Sequence, residues 1–71
     1  MLNLKELRER EGLKQSDVAR RLRVTQTAVS RWESGKNLIN RRNRRALARL
    51  YGTSEEKIGE LARLRRGEKN E

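Results

Sequence analysis

The stretch "DVARRLRVTQTAVSRWESG", residues 17 to 35, constrains the fold more than any other. Two segments with helical apolar spacing, about 15 to 22 and 26 to 34, have only "RVT" between them. Residues three and four apart share one face of a helix. Val18, Ala19 and Leu22 therefore form one stripe, and Val29 and Trp32 form another. So short a connector cannot return the chain into a side-by-side antiparallel pair, so the two helices must cross steeply. A steep crossing needs a small residue where the axes approach, and Ala19 stands there. Apolar residues must seal the angle, and Val18, Leu22, Val24, Val29 and Trp32 are in register to do so.

Proline is absent, and Gly12, Gly35, Gly52 and Gly67 fall between segments of helical spacing, where they read as stops. The pattern predicts an all-α chain of five helices. The first covers about 3 to 11, with Asn3 and Glu6 spaced as a capping box and Leu4 and Leu7 inward. The second and third are the crossing pair, the third capped by Thr25 and stopped by Gly35 after Ser34. The fourth runs from about Asn40 to Tyr51, with Leu47, Leu50 and Tyr51 apolar. The fifth follows Thr53, with Glu56 spaced for a second box and Ile58, Leu61 and Leu64 inward. Gly59 inside it weakens that helix by roughly 1 kcal/mol relative to Ala. Residues 1–64 make one domain, and 65–71, "RRGEKNE", make a charged tail expected to fray.

Composition limits what such a chain can do. With 71 residues the core is small and stability modest. There is no Cys to form a disulfide or thiolate metal site. There is no His to serve as general base or metal ligand. The carboxylates fall mainly on charged helix faces, so an enzyme is not expected, nor a cofactor or small-molecule ligand. No apolar run approaches the roughly 18 residues of a membrane span, and no signal-peptide pattern precedes "MLNLKELRERE". A soluble cytoplasmic protein is the expectation. The net charge is +9, and it is uneven: residues 14 to 49 hold eleven Lys/Arg against only Asp17 and Glu33. The rest of the chain balances. Such a field favours a polyanion, above all nucleic acid. Arginine-rich helices serving only solubility or heat stability are the plainer alternative.

The crossing pair is a helix-turn-helix unit. In "LKELREREGLKQSDVARRLRVTQTAVSRWESGK" and the later "LARLYGTSEEKIGEL", the chain resembles the Cro and lambda-repressor-like (Xre-type) helix-turn-helix domains over about residues 3 to 62. The resemblance implies a compact five-helix globule whose third helix enters the DNA major groove. It also implies a transcriptional regulator, commonly a repressor, bound as a homodimer to a two-fold symmetric double-stranded operator. Carried over by position, it makes Gln15 a phosphate contact, where the first-turn N–H groups also favour an anion. Thr25, at the start of the third helix, is a further phosphate position. Gln26, Thr27 and Arg31 become base readers, with Ser30 as a fourth. It also pairs Arg8 with Glu33, an acid near a helix C-terminus that needs a cation.

The residue chemistry agrees with base reading. Gln can pair bidentately with adenine, Arg with guanine, and a Thr methyl can meet the thymine methyl. A surplus of lysines here would bind any sequence. The alternative treats Gln26 and Thr27 as an ordinary polar first turn.

Three features depart from the family pattern. Arg23 stands in the turn where a Gly is usual, and a left-handed backbone there would cost it roughly 1 kcal/mol. Lys14 stands where Ser or Thr usually caps the second helix. The fourth helix opens with Arg41, Arg42, Arg44 and Arg45, which oppose its macrodipole and one another. An external anion would explain them: Lys36, Asn37, Arg41, Arg42 and Arg44 would clamp phosphates, the alternative being a solvated face. Leu38, Ile39, Leu61 and Leu64 either complete the monomer core or form a dimer contact. A different function on the same scaffold is an adaptor that binds RNA or an acidic protein with little sequence preference.

Overall fold

The computed structural model describes residues 3–69, and side chains over 3–62. Five helices follow in order: α1 (Leu4–Arg10), α2 (Gln15–Leu22), α3 (Gln26–Ser34), α4 (Arg41–Tyr51) and α5 (Glu55–Lys69). No strand occurs among the described residues, so the all-α, five-helix expectation holds.

Local chemistry sets the helix starts. Asn3 Oδ1 accepts from the Glu6 N–H at 2.9 Å, and the Glu6 carboxylate accepts from the Asn3 N–H at 3.0 Å, a complete box. Lys14 has no side-chain acceptor to offer α2, and only the return half of a box forms: Asp17 Oδ2 accepts from the Lys14 N–H at 2.8 Å. Thr25 Oγ1 caps α3 through the Ala28 N–H at 3.1 Å, and Asn40 Oδ1 caps α4 through the Asn43 N–H at 2.8 Å. The fifth cap differs from expectation. Ser54, one residue later than Thr53, accepts from the Lys57 N–H at 3.0 Å. Thr53 is committed to the preceding helix, since its N–H donates to the Ala48 carbonyl at 2.9 Å and closes α4.

The helix ends depend on left-handed residues. Gly35 does this for α3 at φ 78°, a conformation that costs a glycine little. At the end of α2 the residue is Arg23, at φ 59° and ψ 46°. Its N–H donates to Arg20 O at 3.3 Å, and the Val24 N–H donates to Ala19 O at 2.9 Å. Gly67 does not act as the expected stop, because the α5 backbone stays helical through it to Lys69. A glycine ends a helix where the chain turns left-handed, and the described glycines that do so are Gly12, Gly35 and Gly52. The Leu64 side chain and residues 70–71 lie outside what is described.

The core centres on Val18, Val29, Leu47 and Ile58, each at most 1% exposed, one from each of α2 to α5. Full burial of one such side chain contributes roughly 1.5–3 kcal/mol. Leu4, Leu7, Trp32, Tyr51 and Leu61 surround them. Helix α3 packs against α1, α2 and α5, which locks its Val29 and Trp32 face inward. In the α3–α4 loop Ile39 is buried, whereas Leu38 is 71% exposed. Ile39 and Leu61 thus complete the monomer core, and Leu38 does not.

Burial pushes the Tyr51 hydroxyl well above its ordinary pKa; the nearby Glu33 charge adds to this and Arg8 opposes it. Because the folded-state pKa is raised, this contribution to stability is fully present below the unfolded value near 10 and is lost as pH rises through the folded value. Unfolding free energy is expected to fall above pH about 10, and Tyr51→Phe to remove that part of the decline. Urea titrations at several alkaline pH values measure it.

Candidate nucleic-acid interface

With Val29 and Trp32 inside, the opposite face of α3 points to solvent. Gln26, Thr27, Ser30 and Arg31 are all exposed on it, Gln26 and Thr27 in the first turn. None of their side chains bonds to another part of the protein among the described residues. Thr25 is exposed beside them. Its oxygen caps the helix, which leaves the hydroxyl proton to donate outward.

Behind this face lies a charged network holding α3 in place. The Arg8 guanidinium grips Glu33 with both arms, Nε to Oε2 at 2.6 Å and Nη2 to Oε1 at 3.2 Å, and Nη1 donates to the Leu13 carbonyl at 2.9 Å. Both side chains are nearly buried, 9% and 8% exposed. The hydrogen bond to Glu33 raises the Arg8 pKa against the opposing effect of burial, so the cation is fixed. Glu33 lies in the last turn of α3, where the helix dipole disfavours an anion. Its donors offset that cost.

A further donor comes from an unexpected place. Gln15 Nε2 donates to Glu33 Oε1 at 3.0 Å, so the first residue of α2 is tied to the end of α3. Gln15 keeps one Nε2 hydrogen and its carbonyl oxygen for another partner. A near-buried carboxylate accepts more hydrogen bonds than one guanidinium supplies, and Gln15 meets part of that need. Gln15, Ser30, Glu33 and Ser34 share a shallow cleft with Asn3, the cap of α1, and Lys5 in its first turn. Lys5 therefore joins the surface next to the outward face of α3, a placement its exposed position on α1 did not reveal.

The arginines that open α4 are divided by the fold. Arg41 and Arg42 are exposed and have no carboxylate partner among the described residues, and exposed Lys36 and Asn37 precede them in the α3–α4 loop. Arg45 reaches across to Glu55 at 3.3 Å. Arg44 turns towards α5. It lines a cleft with Glu55, Glu56, Gly59 and Glu60, and its Cδ lies 3.6 Å from where a Cβ on Gly59 would stand. The structure thus brings Gln15 and Ser30 together, leaves Arg41 and Arg42 outward, and sets Arg44 apart beside carboxylates.

A family model described as "Helix-turn-helix domain" matches residues 2–61. The chain belongs to the helix-turn-helix domain family; in a DNA-binding helix-turn-helix the second helix of the crossing pair, the place α3 has here, lies in the major groove. The match is consistent with the Cro and lambda-repressor-like resemblance. No match is found among curated proteins or among solved structures. No helix among the described residues is long and apolar enough to cross a membrane.

Proposed function

We propose that this chain is a sequence-specific regulator of transcription that binds double-stranded DNA through α3 in the major groove, as a homodimer on a two-fold symmetric operator. The observation that carries the reading is the exposed set Gln26, Thr27, Ser30 and Arg31, held on a helix whose other face is locked into the core. These side chains offer the directional donors, acceptors and methyl group that distinguish base edges. Gln15, Thr25, Lys36, Asn37, Arg41 and Arg42 bind phosphates on either side. Arg44 is the weakest member of that set, because phosphate must compete with the α5 carboxylates. One helix reads only a few base pairs, so a second copy supplies the rest of the site. The protein acts in the cytoplasm as a repressor by occupying a promoter, with no catalytic step and no cofactor.

The phosphate clamp has its own test. Replacing Arg41 and Arg42 by Gln is expected to flatten the slope of log K against log salt by roughly 0.9 for each phosphate no longer neutralised. An unchanged slope contradicts the clamp. Equal affinity of the unaltered protein for all duplexes would instead favour the adaptor function.

A further inference from the structure

Arg23 occupies the backbone conformation that glycine takes most cheaply, at φ 59°, and it is the one described non-glycine residue with positive φ. A left-handed L-residue is strained through its Cβ, so the position works against an arginine. The backbone bonds that close α2 need only the left-handed conformation, which a glycine would supply as well, so they give no reason for an arginine side chain. Arg23 is exposed and has no carboxylate or hydrogen-bonded side-chain partner among the described residues, whereas its neighbour Arg20 is paired with Asp17 at 3.2 Å. Its charge gains little from helix dipoles either. It stands between the negative end of α2 and the positive end of α3, whose effects oppose each other there. A residue strained and unpartnered in the free protein points to an outside partner.

Where the side chain stands identifies that partner. Leu22 and Val24 both pack on the core, so the residue between them projects away from it. Arg23 is three residues before Gln26, hence within about 11 Å of the first turn of α3 along the chain. A helix about 10–12 Å across fills a major groove about 12 Å wide, so phosphates wall its entry closely on both sides. We propose that Arg23 is a further DNA contact, a phosphate-binding arginine on the turn that fixes how the first turn of α3 enters the groove. This rests on the DNA-binding function proposed above. It requires no base edge, so it adds affinity without selectivity.

The inference opposes two readouts that a merely structural residue would move together. Arg23→Gly is expected to raise Tm by about 4–8 °C, as strain is relieved in a domain of this size. The same change is expected to weaken DNA binding and to lower the salt slope by roughly 0.9, so the affinity deficit shrinks about 3.5-fold between 50 and 200 mM salt. Arg23→Lys should keep the slope and gain no Tm, because charge and strain both remain. Arg20→Gln controls for general loss of charge and should leave the slope unchanged. Wild-type slope in Arg23→Gly, or an equal loss of slope in Arg20→Gln, overturns the inference. A wild type that binds duplex without sequence preference overturns base reading alone, and one that binds no duplex overturns both.

Discussion

Replacing Arg8 by Met is expected to destabilise the protein by about 3–5 kcal/mol, because Glu33 would be left as a nearly buried charge without its cation. A domain of this kind has about 5–15 kcal/mol in total, so much of its stability would go. Glu33→Leu should cost a similar amount by stranding the guanidinium. The double variant Arg8→Met with Glu33→Leu should recover most of the loss, since the charges then leave together and apolar groups of like size fill the space. Arg8→Lys should not rescue: one ammonium cannot reproduce the fork that holds both Glu33 oxygens and the Leu13 carbonyl. Urea unfolding of the wild type, the two single variants and the double variant closes the cycle. Losses below about 1 kcal/mol would mean that the pair behaves as an exposed one.

The second large effect concerns selectivity. Gln26→Ala and Arg31→Ala should each lower the preference for the cognate duplex over random sequence by about 1–3 kcal/mol, roughly 5- to 150-fold. Tm should scarcely change, because both side chains are exposed and neither bonds within the protein. Gln26→Ala should also leave the salt slope intact, since a neutral amide displaces no counterion. Competition binding against random duplex, beside thermal melts of the same variants, separates the two effects. A fall in Tm with unchanged preference would assign these residues to the fold.

Much of the helical frame was legible because most boundaries carry their own local chemistry, those of α2 excepted. Asn3, Thr25 and Asn40 are caps with a short polar acceptor, and Gly35 and Gly52 are the residues that tolerate a left-handed turn. Where two adjacent residues could serve, local chemistry did not decide. Thr53 and Ser54 are both good caps, and the choice came from α4, which uses the Thr53 N–H to close its own end. Gly67 shows the converse, since a glycine permits a stop without requiring one. The pattern placed Leu38 and Ile39 together, and only the path of the loop around the core separates the exposed residue from the buried one.

The candidate site was legible where periodicity governs exposure. Gln26, Thr27, Ser30 and Arg31 avoid the register of Val29 and Trp32, so their outward direction follows from helix geometry. Long-range choices were less visible. Arg44 is one cation among four in sequence, and the packing of α4 on α5 turns it towards Glu55, Glu56 and Glu60. Gln15 has no sequence feature that names Glu33 as its partner. That hydrogen bond needs α2 and α3 folded at their crossing angle.

Selection of duplexes from a random pool by the wild-type protein, followed by methylation interference on the winners, most directly probes whether the outward face of α3 reads base edges. Enrichment should converge on a short half-site, repeated with two-fold symmetry about one helical turn apart, with interference at major-groove positions. A pool that stays random after repeated rounds, while still binding tightly at low salt, would contradict it.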